Sequence, residues 1–381
     1  MNPYDFARID FSKPPKRRKP VWHHHLVEPG KRLFSGTMEV DIYAETPLFI
    51  ANSGVIVIDP KRPAQSMRNP QGDYIIPGSS IKGVLRLLVE TLGNGCLTLF
   101  DARYERDRVN YRDKVPPAFR HCSDATNLCI ACRTFGMLNR GDIFLGKVNI
   151  GDAVSYPGKA FLYDPIYTAV LVEPKPRHEA FYLDEQRQYI AGRKFYFHHT
   201  VADLLTEKGM VYFGRNQEPA NRYIQPLDRD TSFHFRIDFT NLEADEFGAL
   251  LLAVTLEDEM RHKIGYGKPM GLGSVQFAPT SLTLVDYATR YTSYAKTAEK
   301  DSKGGKTTWQ GDPMWNDVLF AQTDAFIETE LSRLAMDDLS RIWRWPPDPD
   351  ADYYYPSKRD WFDTPASRGK RIADTWDVPG Q

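Results

Sequence analysis

The stretch Ile75-Ile76-Pro77-Gly78-Ser79-Ser80-Ile81-Lys82-Gly83-Val84-Leu85-Arg86 constrains the fold more than any other part of the chain. Two β-branched residues read as the end of a buried strand, Pro77-Gly78 forces a turn, and Val84, Leu85, Leu87 and Leu88 supply the apolar face of a helix. Ser79 or Ser80 is expected to cap that helix. A helix start collects free N–H groups and the positive end of the peptide dipoles. With two hydroxyls, Lys82 and Arg86 added, it becomes a candidate anion site, which Gly78 and Gly83 would let a phosphate chain approach closely. The spacing is not that of a nucleotide P-loop. A capped helix with a solvated Lys and Arg fits the same residues, so the rest of the chain must decide.

The 381 residues suffice for one large domain or two ordinary ones, and 41% hydrophobic residues allow a substantial core. A net charge of −1 gives no global attraction to nucleic acid, so any such contact has to come from local patches. One is Lys16-Arg17-Arg18-Lys19, which suits a solvated tail as well as contact with RNA or a neighbouring subunit. There is no apolar run of membrane-spanning length, and Pro14, Pro15 and basic residues stand where a signal peptide needs an apolar stretch. The expected location is cytoplasmic. Three of the four cysteines lie between Cys122 and Cys132, which points to reduced thiols or a metal site rather than a disulfide framework.

Along the chain, residues 1–33 are Pro-rich, basic and aperiodic, an extended arm that needs a partner to become ordered. Met38, Val40 and Ile42 alternate with Glu39 and Asp41 as a strand; 51–74 read as a loop; helix 80–93 ends near Gly93-Asn94-Gly95. Residues 101–135 form a charged insertion that a metal would hold together. A short strand follows at 143–150, aromatic-rich strands at 157–230, a strand at Thr231–Phe239, a helix at Glu246–Glu257 and a strand at 274–285. This succession fits an α+β, ferredoxin-like (RRM-like) core over 34–285. Residues 286–381 make a C-terminal extension with a helix expected at 313–336.

Three further constellations carry chemistry. His121, Cys122, Cys129 and Cys132 form a candidate structural zinc site, because thiolates and imidazole match the ion and CxxC makes a chelating turn. The adjacent His121 and Cys122 do not readily share one ion, so Cys96 or another histidine is an alternative fourth ligand. Lys263-Ile264-Gly265-Tyr266-Gly267-Lys268 is a glycine-rich loop whose backbone suits a phosphate chain and whose Tyr266 offers a ring to a base; a plain hairpin with incidental lysines fits too. In Gln188–His199, Arg193 and Lys194 interleave with aromatics at strand spacing, as single-stranded RNA binding or a sheet core requires. His23-His24-His25 suits packing or RNA stacking better than a metal.

PGSSIKGVLR, CIACRTFG and IGYGKPMGLGSV, in this order, resemble the RAMP superfamily, the RNA-binding subunits of type III and related CRISPR-Cas effector complexes. Asn2-Pro3-Tyr4, Leu33-Phe34-Ser35-Gly36 and Thr46-Pro47-Leu48-Phe49-Ile50 resemble a type III-D branch. The resemblance covers residues 1–285. It implies a guide-RNA-binding backbone subunit, working with copies of itself, other effector subunits, target RNA and a separate nuclease. Its RNA contacts would include Ser79, Ser80, Lys82, Arg86, Arg133, Arg193, Lys194, Lys263, Tyr266 and Lys268. It also implies a projecting β-hairpin thumb within 157–230, with 163–177 as the segment that wedges between guide and target. In target-cutting members an Asp precedes the PGSS strand; here that position falls at Pro63-Ala64, leaving Asp59 as a displaced candidate for an endoribonuclease. Two other readings are a precursor-processing zinc ribonuclease using His198 and His199, and a purely structural assembly protein.

Overall fold

Met38, Val40 and Ile42 send their side chains to one side of a strand and Glu39, Asp41 and Tyr43 to the other, and this alternation sets the architecture. The computed structural model describes residues 2–25, 32–52, 62–97, 111–139, 141–168, 179–199, 222–287, 306–310, 323–351 and 353. Its first elements are β1 (Tyr4–Ala7), β2 (Phe34–Ala44), β3 (Ala64–Gln65), β4 (Ile75–Ile76), α1 (Gly78–Leu92) and α2 (Ile130–Phe135). Next come β5 (Gly136–Asn139), β6 (Asp142–Leu145), β7 (Val148–Ile150), β8 (Ala153–Ser155), β9 (Ile166–Tyr167), α3 (Glu179–Tyr182), β10 (Arg193–Tyr196) and β11 (Tyr223–Gln225). The last are β12 (Ser232–Leu242), α4 (Ala244–Thr255), β13 (His262–Lys263), β14 (Ser274–Val285), β15 (Lys306–Gln310) and α5 (Arg333–Ile342).

The fold is mixed α+β around an antiparallel sheet ordered β13-β14-β2-β12-β8-β4, with β7 also on β12 and β15 on β14. Register puts Met38 opposite Ile237 and Leu282, and Ile42 opposite Phe233 and Phe277, so one face is continuously apolar. Helices α1 and α4 join that face through Ile81, Leu85, Leu88, Phe247, Leu250 and Val254, and Phe34 stacks on Phe247 with centroids 4.5 Å apart. Each such side chain contributes about 1.5–3 kcal/mol on burial. The opposite face is polar, with His234 between Glu39 and Asp41.

The N-terminal arm finds its partner in its own chain. β1 pairs with β10, Arg18 exchanges two backbone hydrogen bonds with Leu128, and Arg17 donates to the carbonyl of Ala118. The basic run is therefore largely committed to the protein rather than to RNA. Of the expected helix at 313–336, residues 313–322 lie outside the described residues and 323–329 are helical; the helix breaks at 330–332, and α5 begins after Ser332, whose hydroxyl accepts the Ala335 N–H. The extension then returns to the core, where the Trp345 N–H donates to the Glu259 carbonyl at 2.7 Å.

Within 157–230, β9 and β11 form an antiparallel pair in which Tyr167 stacks on Tyr223, and β11 runs parallel to β3. Residues 179–199 do not extend a single hairpin: β10 lies on β1 beside α5. Of the wedge segment 163–177, Val170 and Leu171 lie outside the described residues, as do Asp59 and residues 101–110 of the insertion.

Arg133, expected among the RNA contacts, is instead completely buried. Its guanidinium meets Asp245 and Glu246 at 3.0 Å and Glu243 at 3.3 Å. Lys147 pairs with Glu246, and Arg18 reaches Asp245 at 2.6 Å. Burial alone would raise the Asp245 carboxyl, but Arg133 and Arg18 hold it below its ordinary value. Breaking one side of such a network strands a charge. Arg133→Met should therefore lower the unfolding free energy by about 3–5 kcal/mol in urea denaturation, whereas Arg18→Met, at a site 45% exposed, should cost under about 1 kcal/mol.

Candidate nucleic-acid interface and metal centre

Pro77, not a serine, occupies the cap position of α1, and no side chain of the cap residue closes the helix. Ser79 and Ser80 lie in the first turn and are exposed. The first helical N–H, from Gly78, donates at 2.8 Å to Asp152 in the β7–β8 turn. A Cβ on Gly78 would stand 2.2 Å from the Ile150 carbonyl oxygen, so the glycine serves helix-to-strand packing rather than phosphate approach. The sequence gives no signal for Asp152; only the fold brings it there.

At 100° per residue, α1 presents Ser80, Gly83, Val84 and Leu87 on one stripe, with Lys82 and Arg86 on the opposite side. Lys82 donates to the Val148 carbonyl at 3.0 Å, and Arg86 to Glu90 at 2.8 Å and to the Gly136 carbonyl at 3.0 Å. These two partly buried cations thus tie α1 to its neighbours, on a side of the helix away from the cleft described next. Arg193 is likewise buried, donating to the carbonyls of Gly95 and Cys96.

The exposed stripe of α1 faces a cleft of about 550 Å³ that it shares with Lys194 and Tyr196 of β10 and with Lys263, Tyr266 and Lys268. The three segments singled out by sequence therefore meet. The glycine-rich loop is held in place by Thr46, whose hydroxyl donates to the Gly271 carbonyl at 2.9 Å, and by the Tyr266 N–H donating to the Phe49 carbonyl. Its path requires positive φ at Gly265, Gly267, Gly271 and Gly273, which only glycine adopts at little cost. Lys263 is buried, with long contacts to the Gly271 carbonyl and Ser274 hydroxyl at 3.5 and 3.3 Å.

No carboxylate pairs with Lys194, Lys263 or Lys268 among the described residues. Burial pushes Lys194 down to about 8 and Lys268 below its ordinary value; burial and then Lys268 push Lys263 far down. Crowded, desolvated ammonium groups without counter-charges are stabilised by an incoming anion. His198 and His199 offer no acid–base pair here. His198 is buried between the Ser274 hydroxyl at 2.7 Å and the Arg261 carbonyl at 3.0 Å, and burial and then Lys263 push it well below its ordinary value. His199 is buried against Gly271.

On the far side of α1 the four cysteines converge. Cys96, Cys122, Cys129 and Cys132 are all buried, with their Sγ atoms within 4.8 Å of one another and Cys96 3.6 Å from Cys132. Tetrahedral thiolates at about 2.3 Å from one ion stand roughly 3.8 Å apart, so the set fits a metal. His121, expected as a ligand, is not part of this group; Cys96, from the turn after α1, completes it. Cys129 caps α2 and Cys132 lies in its first turn, while Arg86 donates to Cys132 Sγ and the Cys129 N–H to Cys122 Sγ. Such donors suit sulfur bearing negative charge. The expected outcome is one metal ion per chain by elemental analysis, lost with a drop in melting temperature in Cys96→Ser and retained in His121→Ala.

The family model of the RAMP superfamily matches residues 41–276, and the chain belongs to that superfamily. A search of curated proteins finds no match. The superfamily implies a CRISPR-associated, RNA-binding role. No helix of the described residues is long and apolar enough to cross a membrane.

Proposed function

We propose that this member of the RAMP superfamily is a guide-RNA-binding backbone subunit of a type III-like CRISPR effector, and that it grips RNA in the cleft between α1, β10 and the glycine-rich loop. The observation that carries this reading is the presence beside Tyr196 and Tyr266 of Lys194 and Lys268, with the buried Lys263 behind them, none paired with a carboxylate among the described residues. Ammonium groups hold phosphates without reading bases, and rings accept any base, as a subunit must if every guide is to fit. A ferredoxin-like core is supported by the succession β2-α1-β7/β8-β12-α4-β14, a β-α-β-β-α-β order with interleaved halves. Zinc is the ion assigned to the cysteines, since four thiolates make a closed, structural tetrahedral site that supports folding without taking part in a reaction.

Cutting is assigned to another protein. Pro63 and Ala64 lack an acid–base group at the position where the nuclease Asp is expected, and the burial of His198 and His199 speaks for this reading over the ribonuclease one. Target RNA presented to the guide-loaded protein should stay full length with and without Asp59→Ala. A ladder of cuts in the wild type that Asp59→Ala abolishes, with guide and target binding intact, would make this chain the nuclease.

Paired Lys263→Ala and Lys268→Ala should weaken single-stranded RNA binding without changing sequence preference, and flatten the slope of log affinity against log salt by roughly 0.7 for each phosphate no longer neutralised. An unchanged slope would leave the loop a structural role. Because burial pushes Lys194 down to about 8 and it binds RNA as a cation, affinity should fall from pH 7 to 9 as Lys194 loses its proton.

A further inference from the structure

Asn2-Pro3-Tyr4 opens the chain, and the RNA contacts assigned so far make no use of it. The structure sets it against β10, whose Lys194 and Tyr196 line the cleft. Strand β1 pairs with β10 in a register that sets Tyr4 opposite Tyr196 and Phe6 opposite Lys194. The two tyrosine rings meet edge to face, centroids 5.8 Å apart. Lys194 Nζ lies 3.7 Å from the Tyr4 centroid and 4.7 Å from that of Tyr196. Both distances are within cation–π range, and desolvation strengthens that attraction.

Tyr4 itself is fixed. Asn2 Nδ2 donates to its carbonyl at 2.9 Å, and the Phe197 N–H donates to the Pro3 carbonyl at 3.0 Å. Further along the strand, Arg341 of α5 pairs with Asp5 at 2.6 Å and Arg8 with Asp338 at 2.8 Å. A flexible lysine confined by two rings loses less rotamer freedom when a ligand arrives. Rings also answer a cation without neutralising it as a carboxylate would, so its charge stays available to a phosphate.

Resting on the proposed RNA-binding reading, we propose that Tyr4 and Tyr196 are positioning residues: they hold the Lys194 ammonium at the cleft for a phosphate of the guide strand, making the first residues of the chain part of the RNA site. The burial that depresses Lys194 is in keeping with a cation kept partly dry for this purpose.

The test uses the full-length protein and a fluorescent single-stranded RNA of mixed sequence, with affinity measured at two salt concentrations. Lys194→Met and Tyr4→Leu should each weaken binding by roughly three- to thirty-fold. Tyr4→Phe, which keeps the ring, should bind within about two-fold of wild type. In a Lys194→Met background, Tyr4→Leu should have no further effect, because the ring acts through the ammonium. Full additivity in this cycle overturns the proposal. If Tyr4→Leu does not fold, Tyr196→Leu, a half-buried ring, takes its place in the same cycle and the same outcomes decide. Loss of affinity in the Lys263 and Lys268 variants with none in Lys194→Met rejects the positioning role and keeps the RNA cleft. Unchanged affinity in all three lysine variants rejects the cleft itself.

Discussion

A guanidinium sealed from water cannot be left unanswered, and the position of Arg133 obliges the surrounding chain to come together. Its counter-charges Glu243, Asp245 and Glu246 all lie at the start of α4, where the first turn of a helix already favours carboxylates. Glu243 and Glu246 also close a capping box there, so the same side chains satisfy helix N–H groups and neutralise the arginine. Lys147 enters from the segment before β7 and Arg18 from the N-terminal arm. One charge cluster thus registers α2, α4, the sheet edge and the arm against one another. A purely apolar contact, which has no direction, would not fix that register.

The cleft follows the reverse rule. There the lysines pair with no carboxylate among the described residues, and in the proposed RNA site an incoming anion would complete them. The two arrangements lie close in sequence terms, since both depend on basic residues within motifs that look alike when read as strings. What separates them is burial and the presence of acids. Helix α1 shows the contrast within a few turns: Arg86 leans on Glu90 and Cys132, while Ser80 and Gly83 on the other stripe stay open to the cleft.

Much of this was legible in the sequence. Alternation in Met38, Val40 and Ile42 marked the central strand, the glycines around Tyr266 marked an unusual loop, and the motif order led to the superfamily. The individual roles of basic residues were much less legible. Arg133, Arg193, Lys82 and Arg86 read as surface cations because their acceptors, Asp245, Glu90 and the carbonyls of Val148 and Gly95, are distant in sequence or are backbone groups that no residue type announces. Cys96 stood outside the compact cysteine cluster, since only the turn after α1 carries it to Cys132. The helix cap was misplaced for a similar reason: Ser79 and Ser80 suit the position, but Asp152 reaches the Gly78 N–H from another turn.

That last contact bears on which anions the protein meets in a cell crowded with small phosphates. An open helix start is a general receptor for them, and free nucleotides at millimolar levels would fill it. Here the protein's own carboxylate already sits on the Gly78 N–H, so this ready anchor is withdrawn from competition. In the proposed RNA-binding reading, the remaining attraction is divided among lysines from β10 and the glycine-rich loop, each weak alone. A mononucleotide gains little from any one of them. A strand that engages several at once gains from every added contact after the first, and so discrimination between polymer and monomer arises from a helix end that is kept closed.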